Sequence, residues 1–128
     1  QVLAQQDDTI LQTALNQEQA ELAALKAEVA RARNLVSNAK ARVEQARLEY
    51  QQAQSDSQRQ QQLVQQGAVA EQAAEQARTN AQSAAKVLRA TEEEVRTEQQ
   101  AVAAASDRVN AQQAAIAQAK EQLSYASI

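Results

Sequence analysis

Chemistry at neutral pH usually draws on His, Cys, or a perturbed carboxylate or lysine held in a closed pocket. This sequence has no His, Cys, Met, Trp, Phe or Pro, and its apolar share of 44% is mostly alanine. With so few large side chains there is nothing to wall a catalytic pocket. The expectation is therefore a chain that is not an enzyme and that needs no cofactor and no metal. What remains is recognition chemistry. Arg59 and Leu63 stand four residues apart, beside the only glycine, Gly67. On a helix that spacing puts a guanidinium and an apolar side chain on one stripe, which makes a contact spot. The same pattern also fits a solvated Arg59 with a Leu63 that merely flanks a helix seam against Ala73. Leu35, Leu48 and Val87 are further apolar candidates, for lateral contact between neighbouring hairpins, with the scattered surface residue as the commoner alternative.

Charge narrows the partners. Sixteen acidic and thirteen basic residues leave a net charge of −3. The two halves are alike, with eight acids against seven bases in residues 1–64 and eight against six in 65–128. No basic face for nucleic acid emerges, and no acidic tail. No apolar run approaches the ~20 residues of a membrane span.

The elements that carry these residues follow from a seven-residue repeat. With positions lettered a to g, the first segment has a residues Leu15, Leu22, Val29, Val36, Val43, Tyr50, Ser57 and Val64. Its d residues are Leu11, Glu18, Leu25, Ala32, Ala39, Ala46, Ala53 and Gln60. The second segment places Ala74, Ala81, Leu88, Val95, Val102, Val109, Ile116 and Leu123 at a. Its d residues are Ala77, Ala84, Thr91, Glu98, Ala105, Gln112 and Ala119. A repeat held this long specifies a left-handed coiled coil. The fold class is all-α: a long two-helix antiparallel coiled-coil hairpin.

Gly67 is the natural turn, because glycine takes φ > 0 without steric cost and commonly stands at C′. Facing residues then lie equally far from Gly67 on either side. Leu15 meets Ala119, Leu25 meets Val109, Ala39 meets Val95, and Ala46 meets Leu88. Large residues mostly oppose small ones. Lys40 with Glu92, Arg42 with Glu94 and Glu28 with Arg108 flank the seam as candidate ion pairs. Three layers are poor: Glu18 with Ile116, Leu22 with Gln112, and Val36 with Glu98. Their polar side chains are expected to bend out to water.

Within 1–8, Gln1–Ala4 read as a strand end and Asp7-Asp8-Thr9 as a helix start. Thr9 and Gln12 have the spacing of a capping box, so the first helix is expected over 9–65. The tip turn falls at 66–69, the second helix at 70–123, and a strand start at 124–128. At ~1.5 Å per residue a helix from Thr9 to Gln65 would reach ~85 Å, the length of a spacer or a probe.

These residues resemble the membrane fusion proteins, or periplasmic adaptors, of Gram-negative efflux pumps and type I secretion systems. QVLAQQDDTILQ resembles the exit from the first half of that family's lipoyl-like domain, and AKEQLSYASI the return into its second half. RQQQLVQQGAVAEQAAEQA resembles the hairpin tip, where adaptors carry Arg, Leu four residues on, and Ser or Thr seven further. Arg59 and Leu63 match the first two positions. Ala70 departs from the third, which removes a hydroxyl that in the family caps the second helix and helps docking. The resemblance implies strand remnants of a lipoyl-like domain at both ends and a periplasmic location in a parent attached to the inner membrane. It implies a TolC-like outer-membrane channel at the tip, an inner-membrane transporter reached through other domains, and a homo-oligomeric ring. The hairpin length is similar to that of adaptors serving ABC-type transporters. Two rivals stay open: a nucleic-acid-binding arm like that of seryl-tRNA synthetases, which needs a basic stripe, and a purely structural spacer.

Overall fold

The computed structural model describes residues 2–127. Two helices make up nearly all of it, α1 over Val2–Gln65 and α2 over Glu71–Ser127. The chain is thus an all-helical, two-helix hairpin. No proline or glycine interrupts either helix, and alanine, glutamine, glutamate and leucine are strong helix formers.

Helix–helix contacts divide the molecule into two units, residues up to 34 with those from 99 onward, and residues 35–98. In the first unit Leu15, Val29, Ala105 and Ile116 are buried, and every other a or d residue between Leu11 and Asn34, or between Gln99 and Leu123, is half-buried. In the second unit Ala39, Val43, Ala46, Ser57 and Ala74 are buried. The remaining a and d positions there, from Val36 to Val64 and from Ala77 to Glu98, are half-buried. A seam whose residues keep some contact with water is what two helices alone can make. Each residue has neighbours on one side only.

Three expectations need correction. The first is the start of α1. Thr9 does not cap a helix; its hydroxyl donates to the carbonyl of Gln5 at 2.9 Å, and Thr13 does the same to Thr9. That back-bonding belongs to a helix interior. Second, residues 2–8 and 124–127 are helical, and no strand occurs among the described residues. Gln1 and Ile128, also read as strand, lie outside them. A lone strand leaves its N–H and C=O groups unpaired until a sheet receives them, whereas a helix satisfies them within itself.

Third, the Glu18 and Gln112 side chains do not simply turn to water. The Gln112 amide lies along the seam and donates to both the carbonyl and the carboxylate of Glu18, the carbonyl bond measuring 2.9 Å. The two poor layers of the first unit thus satisfy each other. In the second unit Thr91 settles its hydroxyl on the Leu88 carbonyl at 2.8 Å.

Among the expected ion pairs, Arg42–Glu94 and Arg108–Glu28 form, the latter at 3.6 Å. No ion pair joins Lys40 to Glu92 among the described residues. Both pairs that form link g positions of the two helices, whereas Lys40 and Glu92 are e positions.

Candidate functional site

All the candidate contact residues lie in the second unit. The turn that organises them is a Schellman motif. Gly67 has φ 76°. Its N–H donates to the Val64 carbonyl at 3.0 Å, and the Ala68 N–H donates to the Leu63 carbonyl at 2.8 Å. This pair of bonds places Gly67 at C′ and closes the last carbonyls of α1. A Cβ at Gly67 would meet nothing within 4 Å. The glycine is therefore required by its backbone dihedral and not by crowding.

Ala70 is the residue before α2 and is exposed. The Ala73 N–H donates to its carbonyl at 3.1 Å. The alanine methyl offers no oxygen to the free N–H groups of the first turn, so the cap is backbone only. Two neighbours compensate in part. Glu71 sets a carboxylate in the first turn, where the helix dipole favours it. Val69 is half-buried and Ala74 buried, at the N′ and N4 positions of a hydrophobic staple.

Arg59 is exposed, and its guanidinium reaches the Asp56 carboxylate one turn back at 3.3 Å. The same carboxylate oxygen accepts from the Gln52 amide at 3.2 Å. An exposed i,i+3 pair of this kind is weak, and the guanidinium keeps donors to spare. Leu63 is half-buried, so part of it covers the seam and part faces water. Gln60, between them in sequence, has a buried side-chain oxygen with no hydrogen-bond partner.

Leu35, Leu48 and Val87 are 46%, 62% and 50% exposed. Leu35 and Val87 are g residues and Leu48 is an f residue next to g. A shallow groove runs beside Leu48, floored by Ala53 and Ala77 and rimmed by Glu49, Asp56 and Asn80. Sequence reasoning missed this groove and the Asp56 partner of Arg59. The i,i+3 spacing of Asp56 and Arg59 was available as a signal. The groove arises because small residues at Ala53 and Ala77 bring no bulk to the seam.

The two flanks of this unit differ. The g flank carries the apolar residues together with Glu49, Asp56 and Glu94 against a single cation, Arg42. The e flank carries Lys40, Arg47 and Arg78 against Glu71 and Glu92, with no Leu, Val or Ile. Among the described residues there is no group of three potential metal ligands, and no helix is long and apolar enough to cross a membrane.

Comparison with family models, with curated proteins and with solved structures finds no match to this chain.

Proposed function

We propose that this chain is the α-hairpin of a periplasmic adaptor, a non-enzymatic part that bridges an inner-membrane transporter to a TolC-like outer-membrane channel. One observation carries the reading. A two-helix hairpin turns on a Schellman glycine, and Arg59 and Leu63 stand just before it with part of each side chain open to solvent. Their spacing from each other and from Ala70 is that of the adaptor tip they resemble. In this reading Leu63 supplies an apolar contact to the channel and Arg59 supplies donors to its carbonyl groups. The transporter contact belongs to the rest of the adaptor. There too the segments 1–4 and 124–128 would find a sheet to join.

A second reading, a spacer with no partner at its tip, has its own support. Arg59 already shares Asp56, and Leu63 is partly used by the seam.

Export by the full-length protein separates the two. Leu63→Asp buries an unpaired charge wherever an apolar contact would form, which is costly at an interface. Arg59→Ala removes the donors. Both are expected to cut export and channel capture while circular dichroism stays that of the wild type. Ala70→Ser is expected to improve capture, because it adds an N-cap worth roughly 0.5–2 kcal/mol. Undiminished export and capture by Leu63→Asp would leave the spacer reading standing.

A further inference from the structure

We infer that the hairpin packs against a second copy of itself through unlike flanks, the e flank of one copy on the g flank of the next. The inference deepens the adaptor reading, which includes a ring of copies, by assigning the surfaces that meet.

The argument starts from how charge is sorted. In the second unit the e flank is net basic and the g flank net acidic, as described above. The first unit repeats the polarity. Its e flank has Lys26, Arg33 and Lys120 and no acid, and its g flank has Asp7, Glu21 and Glu28 against Arg108. The cations at Lys26, Arg33, Lys40, Arg78 and Lys120 form no ion pair within the chain among the described residues. The two g-flank arginines are already neutralised by Glu94 and Glu28. Arg47 is likewise paired with Glu44, and Asp56 with Arg59. The flank charges left without an ion pair among the described residues are thus Lys26, Arg33, Lys40, Arg78 and Lys120 against Glu71 and Glu92 on the e flank, and Asp7, Glu21 and Glu49 on the g flank.

Symmetry follows from this sorting. A two-fold contact would set like flanks together, and like charges in register repel. Unlike flanks attract, and a contact between different surfaces of identical chains is heterologous, so it propagates into a ring or an open array. Shape agrees with charge. In the second unit the exposed apolar residues Leu35, Leu48 and Val87 lie on or beside the acidic flank, whereas those of the first unit, Val2, Leu3, Ile10 and Tyr125, lie off both flanks. The alkyl stems of lysine and arginine on the basic flank can cover apolar surface while their heads reach the acids. Exposed charges at this spacing attract weakly and are screened by salt. The contact should thus be transient between free chains and persist only when copies are held together.

The wild-type chain can report its own contacts. An equal mixture of 14N- and 15N-labelled chains is treated at low salt with a carbodiimide, which joins an amine to a carboxylate without a spacer. Mass spectrometry then identifies the mixed-label, intermolecular links. Lys26, Lys40 and Lys120 should couple to g-flank acids such as Glu21 and Glu49 several-fold more often than does Lys86, an f residue. That excess should vanish at high salt. Glu49→Gln should remove its own links and spare those of Glu21. The proposal is overturned if Lys86 links as often as the e-flank lysines, or if the links go to acids off the g flank. A lack of intermolecular links at low salt overturns it as well. The tip variants test docking separately: their failure would leave the link pattern intact, and a failed link pattern would leave the docking result intact.

Discussion

The two units use the same seam differently. The first is built from large aliphatic layers, with Leu15, Leu22, Leu25 and Val29 on α1 and Val102, Val109 and Ile116 on α2. Its Glu18 and Gln112 layers are closed by the hydrogen bonds between those two residues, while Asp8 keeps a buried carboxylate oxygen with no hydrogen-bond partner. The second unit relies on small residues. Ala39, Ala46 and Ala74 are its most buried positions along with Val43, Ser57 is buried at an a position, and Gln60 keeps an unpartnered buried oxygen. Apolar burial drives helix pairing in proportion to area. The first unit therefore gains more from its seam, but both units leave apolar side chains in water, Val2, Leu3, Ile10 and Tyr125 in the first and Leu35, Leu48 and Val87 in the second. The two units differ in how the seam is filled, and not in whether apolar surface is left outside it.

Opposite substitutions should break that contrast most sharply. Leu15 is 6% exposed, and truncating it removes a layer of the first unit. Leu15→Ala is expected to cost about 2–3 kcal/mol, near the low end for core leucines because two helices can partly close the gap. In the second unit the seam is already tight, and Ala39 is 1% exposed. Here enlargement should do the damage: Ala39→Leu is expected to cost about 1–3 kcal/mol by forcing the helices apart. Urea denaturation gives the magnitudes, and amide hydrogen exchange gives the location. Faster exchange confined to the second unit in Leu15→Ala would contradict that contrast.

The turn should respond less. Gly67 sits at φ 76° with open space around its missing Cβ. Gly67→Ala should cost about 1 kcal/mol, the left-handed strain of an L-residue less the entropy removed from the unfolded chain. Gly67→Asn should cost less, since asparagine tolerates that region better. Equal losses for both would mean that something other than the dihedral is at stake.

How much of this could be read from residues alone depended on the range of the signal. The seam was legible because sixteen a and d positions on α1 repeat a pattern that chance does not sustain. The turn was legible because a single glycine interrupts a chain of helix formers. The ends were not legible. Alternation across Ser124, Tyr125 and Ala126 is too short to separate a strand from the last turn of a helix, and the helix wins where no sheet is present. The Thr9–Gln12 capping box failed for a related reason, because Val2, Leu3 and Ala4 extend the helix behind it. Among the site residues, the stripe bearing Arg59 and Leu63 was visible in their spacing. The share of Leu63 covered by the seam was not, because a g residue can lean either way.

The smallest effect concerns the flanks, and it asks which of two look-alike ion pairs matters. Arg42 with Glu94 and Lys40 with Glu92 were equally eligible by charge and by distance from the turn. Only the first forms, with both side chains about half exposed. Its partners are g residues, and an arginine fork can align with a carboxylate where a lysine offers only a point charge. A double-mutant cycle on Arg42→Ala and Glu94→Ala should give a coupling of about 0.2–1 kcal/mol that shrinks in high salt. The matching cycle on Lys40 and Glu92 should give none. A coupling of equal size in both cycles would mean that the two flanks are electrostatically alike within one copy. Lys40 would then be engaged in its own chain, and the basic flank would lose one of the charges available to a neighbour.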